Sequence, residues 1–181
     1  MHPDIQRILI SEKELHKRVK DMAAEITASF SGKDLLVIGI LKGSVIFLAD
    51  LVRQLPRPAA FDFMKVSSYG LSTESSGSVS ILCDITENIS GRHILLAEDI
   101  IDTGQTLSRL IPLLRQRNPA SVKVAALLDK PERRTASLSV DFTGFTIPDE
   151  FVVGYGLDYA EQYRNLPYIG VLKPSIYQRS L

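Results

Sequence analysis

Apolar and polar positions along the chain follow two periods, which predict helices alternating with strands. Behind the capping-box sequence Ser11-Glu12-Lys13-Glu14, apolar residues recur at helical spacing as far as Phe30, which predicts an amphipathic helix over 11–30 that Gly32 closes. The apolar positions of this helix are Leu15, Val19, Met22, Ile26 and Phe30. A continuous apolar run over 34–41 is typical of a strand covered on both faces, and the pattern over 45–55 predicts a helix that Pro56 ends.

The same alternation continues through the middle of the chain. Strand patterns occupy 60–66, 79–84, 93–98 and 122–128, and a helical pattern occupies 106–117. Pro112 falls inside that helix, so we expect a kink or a shifted start. Strands alternating with helices predict an α/β fold with a central parallel sheet flanked by helices, and no linker divides 1–181 into separate domains.

Residues 67–78 are rich in Ser and Gly between two predicted strands. We expect a mobile loop there, and a loop of this length in a compact domain is often an active-site lid. The alternative is a tolerated surface insertion.

Composition narrows the class of protein. The 181 residues are 45% hydrophobic, enough for a substantial core, and 21 basic residues balance 21 acidic ones, which disfavours a general nucleic-acid binder. The single cysteine, Cys83, has no partner for an internal disulfide or a C-x-x-C zinc site, which fits a reducing, cytoplasmic compartment. No apolar run approaches the roughly 18 residues of a membrane span, so we expect a soluble protein.

The segment over 93–106 carries the candidate chemistry. An apolar strand leads into Glu98, Asp99 and Asp102, and then into a Thr-Gly-Gln-Thr turn over 103–106 that starts a helix. Ligands of parallel sheets bind at the carboxyl ends of strands, and the free N–H groups of a helix N-terminus suit a phosphate monoester. Glu98 and Asp99 are hard oxygen donors suited to Mg²⁺ or ribose hydroxyls, and Asp102 could transfer a proton.

Two other interpretations of this segment compete. Adjacent acids before Thr-Gly can form a solvated turn in which an aspartate caps a helix. Asp-Thr-Gly also occurs in aspartic proteases, but that chemistry needs a β-rich chain, whereas here the tripeptide joins a strand to a helix.

The whole run over 98–106 resembles the phosphoribosyl-pyrophosphate signature of the type I phosphoribosyltransferases, and the rest of the chain resembles their hypoxanthine-guanine branch. The supporting segments, in matching order, are Leu41-Lys42-Gly43-Ser44, Leu127-Leu128-Asp129-Lys130, and 151–159 followed by 164–168. The resemblance extends from about Ser11 to Leu172. It implies a type I phosphoribosyltransferase fold as a single domain, with a small hood formed from the terminal segments and a mobile loop that includes Ser68 and Tyr69.

The implied reaction transfers 5-phosphoribosyl from phosphoribosyl pyrophosphate to N9 of a 6-oxopurine and releases pyrophosphate. Mg²⁺ is the implied cofactor, with Glu98, Asp99 and Asp158 at the metal. A cis peptide between Leu41 and Lys42 is implied to turn backbone N–H groups toward the diphosphate. The residues implied to bind phosphoribosyl pyrophosphate or the ribose phosphate are Leu41, Lys42, Gly43, Glu98, Asp99, Asp102, Thr103, Gly104, Gln105, Thr106 and Arg164.

The purine is implied to meet a different set of side chains. Asp102 would act as general acid or base near N7, Lys130 would donate to O6, and Phe151 would stack on the ring. The carbonyl of Val152 would accept from an exocyclic amine, and Leu157 and Asp158 would complete the purine site. Gln105 departs from certain relatives, which carry a lysine there.

Several alternatives stay open at this point. Lys130 and Phe151 favour a 6-oxopurine more firmly than they choose the group at C2, so a xanthine-guanine preference is the main alternative. A regulatory RNA-binding homologue wants a basic face, which the balanced charge disfavours. Asp102 argues against a protein that binds phosphoribosyl pyrophosphate without catalysis. The family forms dimers or tetramers, so we expect a homo-oligomer.

Overall fold

A computed structural model describes residues 1–67 and 80–178. In chain order the elements are β1 (Ile5–Ile10), α1 (Glu12–Ser29), β2 (Leu35–Leu41), α2 (Val45–Gln54), β3 (Ala60–Ser67), β4 (Ser80–Cys83), β5 (His93–Ile101), α3 (Gln105–Arg115), β6 (Ser121–Asp129), a 3-10 turn (Pro131–Arg133), β7 (Phe142–Thr146), β8 (Val152–Val153), β9 (Ile169–Leu172) and α4 (Pro174–Tyr177). The mobile loop expected over 67–78, with Ser68 and Tyr69, lies outside the described residues except for Ser67.

The central sheet follows the order β4-β3-β2-β5-β6-β7. Strands β3, β2, β5, β6 and β7 are parallel, and β4 joins the edge antiparallel to β3. Because side chains alternate across a sheet, Val37 of β2 packs with α1 and α2 on one face, and its neighbours Leu36 and Ile38 pack with α3 on the other. Helices therefore cover both faces, as the alternation of elements predicted.

A second sheet is built from the two ends of the chain. Its strand order is β1-β9-β8, and both pairings are antiparallel. Ile5, Val153 and Leu172 form its small buried core. The apolar pattern did not predict β1 or β9, because these two strands pair with each other across more than 150 positions, as Arg7 and Val171 do.

Two predicted boundaries differ in ways that concern the site. Strand β5 does not stop at Glu98 but continues to Ile101, because Ile100 and Ile101 pair with Leu128 and Asp129 of β6. Helix α3 begins at Gln105, one residue before the predicted start, and continues through Pro112 to Arg115. None of the described helices is both long enough and apolar enough to cross a bilayer.

The predicted capping box at the start of α1 is present. Ser11 accepts from the backbone N–H of Glu14, and the Glu14 carboxylate accepts from the backbone N–H of Ser11 at 2.8 Å. These hydrogen bonds satisfy donors that have no partner inside the helix. The Ser11 hydroxyl also donates to the Glu14 carboxylate, and this bond, together with the one from the Ser11 N–H, lowers the pKa of the Glu14 carboxyl.

Replacing Ser11 by alanine is expected to lower the free energy of unfolding by about 1 kcal/mol, because the cap is lost. Urea denaturation followed by far-UV circular dichroism measures the change. Ser31→Ala, an exposed serine just beyond the other end of α1, is the matched control and should stay within about 0.5 kcal/mol of the parent. Equal stability of both variants would show that the cap contributes nothing.

Candidate active site

The ends of β2, β5 and β6 meet at the carboxyl edge of the central sheet. Residues 42–44 follow β2, residues 102–106 follow β5, and Lys130 follows β6. The backbone N–H of Lys130 donates to the carbonyl of Ile101 at 3.0 Å, which ties the last two loops together. The parallel register thus assembles three segments that are far apart in the sequence.

Glu98 and Asp99 form a half-buried acid pair near this edge. Burial raises the pKa of Glu98 well above its usual range, and the neighbouring Asp99 carboxylate adds to the shift. Burial also raises the pKa of Asp99 to about 6, with a smaller contribution from the nearby Asp158, while its bond from the Ile100 N–H and the charge of Arg164 oppose the shift. Among the described residues, Glu98 Oε2 is a buried oxygen without a hydrogen-bond partner, as a group awaiting a ligand would be.

The loop after β2 packs tightly against this acid pair. The peptide between Leu41 and Lys42 is cis, as the resemblance implied. A Cβ at Gly43 would lie 1.6 Å from Asp99 Oδ2, so the carboxylate rests directly on the glycine backbone. Ser44 is buried and donates to the carbonyl of Ile40 at 2.7 Å. Only glycine at position 43 permits this approach.

A loop over 154–164 packs against Gly43 from the other side. Gly156 has φ +104°, and a Cβ there would lie 2.0 Å from the Gly43 carbonyl oxygen, so the two backbones touch. Arg164 donates to the carbonyl of Gly156 at 2.7 Å and pairs with Asp158 at 2.9 Å. Asp158 and Arg164 are thereby held beside the loop that carries Lys42.

Lys42 also reaches this loop directly. Its Nζ lies 2.8 Å from Glu161 Oε2, and Arg164 lies 3.6 Å from Glu161 Oε1. The hydrogen bond from Lys42 is the main reason that the pKa of Glu161 is lowered. Both cations predicted to contact diphosphate are thus joined to one carboxylate that sequence reasoning did not single out.

The turn between β5 and α3 has the geometry expected of an anion site. Gly104 takes φ +77° at the N-cap of α3 and has no side chain to cap the helix, although the Thr103 hydroxyl accepts from the backbone N–H of Gln105 at 3.4 Å. Thr103, Gly104 and Thr106 line a small cavity of about 100 Å³ at this helix N-terminus, where backbone N–H groups favour an anion. Gln105 points elsewhere, since its amide donates to the Thr135 hydroxyl at 3.1 Å.

A larger cavity of about 420 Å³ lies between the central sheet and the terminal sheet. It is lined by all six residues predicted to meet the purine and by four others: Ile100, Asp102, Lys130, Arg133, Asp149, Phe151, Val152, Leu157, Asp158 and Tyr177. Lys130 is only 7% exposed, and its Nζ donates to the carbonyl of Glu150 at 2.7 Å, so it is not a solvated surface lysine. Phe151 is partly exposed and stacks on Tyr177 with ring centroids 4.7 Å apart.

Asp102 lies at the wall of this cavity and is paired with a residue that the sequence did not single out. Arg133 Nε donates to Asp102 Oδ1 at 2.7 Å, and its Nη1 donates to Asp149 Oδ2 at 3.3 Å. The 3-10 turn that carries Arg133 directly follows Lys130, so the spacing to a cavity lysine is the one sequence signal that could have identified it.

The acid side chains fit magnesium carried by a substrate better than a metal held by the protein alone. Within 1–67 and 80–178, no group of three or more Asp, Glu, His or Cys side chains is placed to hold a metal ion without other ligands, so the assignment of Glu98, Asp99 and Asp158 to the metal stays a prediction. Asp158 pairs with Arg164. Mg²⁺ usually takes only one or two carboxylates together with substrate phosphates, and the partnerless oxygen of Glu98 beside Asp99 fits that mode.

Known proteins of similar sequence and structure agree with this geometry. The family model of the phosphoribosyl transferase domain matches residues 9–160. The hypoxanthine-guanine phosphoribosyltransferase of Bacillus subtilis is 54% identical over 98% of this chain and 99% of its own. The solved hypoxanthine phosphoribosyltransferase of Staphylococcus aureus superposes with a TM-score of 0.95, at 46% identity, over 99% of this chain and 97% of that one.

In a third relative, a similar sequence is part of a longer protein. The bifunctional protein TilS/HprT of Listeria innocua is 52% identical over 98% of this chain, but the chain spans only 27% of its length. Two findings show the family. The Bacillus subtilis enzyme matches over nearly the full length of both chains, and the family model matches most of this chain. This chain belongs to the phosphoribosyltransferase family, in its hypoxanthine-guanine branch.

Proposed function

We propose that the protein transfers 5-phosphoribosyl from phosphoribosyl pyrophosphate to N9 of hypoxanthine or guanine, giving IMP or GMP and pyrophosphate, as a step of purine salvage. The observation that carries the proposal is the buried Lys130 in the same cavity as Asp102, next to the helix N-terminus that follows β5. A base, a ribose 5-phosphate and a diphosphate can then be bound side by side at the carboxyl edge of one sheet.

The phosphate and diphosphate are bound by two different loops. The N–H groups and hydroxyls of Thr103, Gly104, Gln105 and Thr106 hold the 5-phosphate. Leu41, Lys42, Gly43 and Arg164 hold the diphosphate, and Glu98 and Asp99 meet the ribose hydroxyls or the metal. Asp99 and Asp158 would hold Mg²⁺ beside the diphosphate, and the ion would supply positive charge to the leaving group.

The purine is oriented by donors and an aromatic ring at the larger cavity. Lys130 donates to O6, and its held position favours an oxo group over the amino group of adenine. Asp102 accepts the proton carried by N7 while N9 forms a bond to C1 of the ribose and the bond from C1 to pyrophosphate breaks. Phe151 stacks on the base, Val152 offers its carbonyl to an exocyclic amine, and Leu157 covers the other apolar edge.

The test is an assay of Mg²⁺-dependent pyrophosphate release with phosphoribosyl pyrophosphate and each purine in turn. We expect turnover with hypoxanthine and guanine and almost none with adenine, because adenine offers no acceptor to Lys130. Xanthine as the preferred base would support the alternative specificity. Comparable rates with adenine would overturn the assignment to 6-oxopurines.

We also propose a homo-oligomer in the cytoplasm. Large apolar side chains are exposed on the surface, including Phe61 at 53% and Leu82 at 60%, both on the strands at one edge of the central sheet. Exposed apolar residues grouped on one edge suit a subunit contact. The only cysteine, Cys83, is an exposed free thiol beside them, which suits a reducing compartment. Light scattering after size-exclusion chromatography measures the subunit number.

A further inference from the structure

Glu161 contacts both cations that the proposed function assigns to diphosphate. Its Oε2 lies 2.8 Å from Lys42 Nζ, and its Oε1 lies 3.6 Å from an Arg164 nitrogen. Lys42 and Glu161 are 119 positions apart in the sequence, so the contact joins two separate loops. A carboxylate with two oxygens on two cations imitates the way a phosphate group would engage them.

The backbone of the loop aims Glu161 at this position. Ala160, Glu161 and Tyr163 all have positive φ, at 50°, 62° and 75°, which non-glycine residues adopt at an energetic cost. The backbone N–H of Glu161 donates to Asp158 Oδ2 at 2.9 Å, which fixes the turn. The positive φ values and this hydrogen bond together place the Glu161 carboxylate between Lys42 and Arg164.

Stability does not explain this arrangement. The side chains of Lys42 and Glu161 are 53% and 66% exposed, and ion pairs this exposed contribute little to folding. The same exposure lets the Glu161 side chain swing away into solvent without leaving a buried charge unpaired. The pair can thus exchange for a ligand at small cost to the fold.

We propose that Glu161 is a positioning residue that competes with diphosphate: it binds Lys42 and Arg164 in the free enzyme, holds them in place, and releases them when diphosphate enters. The inference rests on the proposed function, because it needs those two cations to bind diphosphate. Its consequence is weaker binding of both phosphoribosyl pyrophosphate and released pyrophosphate, since each must displace the carboxylate. Weaker product binding favours release of pyrophosphate after transfer.

The test is Glu161→Gln, which keeps the size of the side chain and removes its charge. Inorganic pyrophosphate is the probe, measured with excess MgCl₂ as a competitive inhibitor against phosphoribosyl pyrophosphate at saturating hypoxanthine. We expect the inhibition constant to fall about three- to fivefold, and KM for phosphoribosyl pyrophosphate to fall in parallel, as the loss of an exposed ion pair implies. KM for hypoxanthine should stay unchanged.

Two features separate competition from a structural effect. Damage to the loop would weaken diphosphate binding, whereas loss of a competitor tightens it. The advantage of the variant should also shrink as NaCl rises from about 0.05 to 0.5 M, because salt screens exposed charges. Glu25→Gln, which removes an exposed carboxylate paired with Arg18 at 2.6 Å on α1, is the matched control and should leave both constants unchanged.

A companion variant distinguishes the failure of this inference from the failure of the proposed function. Lys42→Met should weaken inhibition by pyrophosphate. If it does, but Glu161→Gln leaves inhibition unchanged or weaker, the competition is overturned while the diphosphate site stands. If Lys42→Met has no effect on inhibition, the diphosphate site itself is misassigned and the inference falls with it.

Discussion

Replacing Asp102 by asparagine is expected to lower kcat about 10²- to 10⁴-fold, the usual contribution of a general acid or base. The amide keeps the size of the side chain and can still accept the hydrogen bond that Arg133 donates to Oδ1 at 2.7 Å. What it loses is the capacity to exchange a proton with the purine. Steady-state rates at saturating hypoxanthine and phosphoribosyl pyrophosphate measure the change.

In the Asp102→Asn variant, pyrophosphate binding should be preserved although turnover is lost. The loop over 41–43 and Arg164, which bind the diphosphate, are unaltered, so inhibition by pyrophosphate should stay within about twofold of the parent. Asp84→Asn is the matched control, because Asp84 is also an exposed carboxylate paired with an arginine, Arg117, at 2.7 Å, but outside the site. Unchanged turnover in Asp102→Asn would remove Asp102 from the chemistry.

Gly43→Ala is expected to raise KM for phosphoribosyl pyrophosphate at least tenfold, which corresponds to about 1.4 kcal/mol of lost binding. The new methyl group would lie 1.6 Å from Asp99 Oδ2, so either the carboxylate or the loop must move. Backbone movement is opposed by Gly156, whose own backbone touches the Gly43 carbonyl. The expected result is a displaced Asp99 and a distorted diphosphate loop.

Kinetics with each substrate varied in turn measure this effect, and circular dichroism checks that the variant is folded. KM for hypoxanthine should change far less, because the purine cavity does not include Gly43. Gly32→Ala is the control: Gly32 has φ +71° and open space around its Cβ position, so it reports strain from replacing a glycine without a clash. A normal KM for phosphoribosyl pyrophosphate in Gly43→Ala would mean that the loop adapts freely.

The α/β architecture could be predicted because its signals are local. The capping box at Ser11 and the continuous apolar run of β2 each depend on a few neighbouring residues, and both predictions are confirmed. The extension of β5 to Ile101 could not be predicted, because it depends on pairing with β6 rather than on its own polar sequence. Strands β1 and β9 of the terminal sheet were missed for the same reason, because each depends on a partner at the other end of the chain.

The site residues likewise differ in whether a local sequence signal or a long-range contact identifies them. Motif resemblance led to Lys130, Phe151 and Asp102, which line one cavity. It did not lead to Arg133, Glu161 or Tyr177, because each is defined by its contact with a residue of another segment. An ion pair between positions 42 and 161 leaves no local pattern in either loop. Contacts of this kind become visible only when the tertiary structure brings the loops together.

Because the terminal sheet joins the first and last strands of the chain, the phosphate turn and the purine cavity are completed at different stages of synthesis. Every residue of the β2 loop, of β5 and of the phosphate turn has been translated once the ribosome passes position 106. Strands β8 and β9 come at the end, and β9 pairs with β1, which was made first. The phosphate turn over 103–106 is therefore synthesised early, whereas the diphosphate site, which needs Arg164, and the purine cavity are completed only after residues 152–172 have emerged and joined residues 5–10.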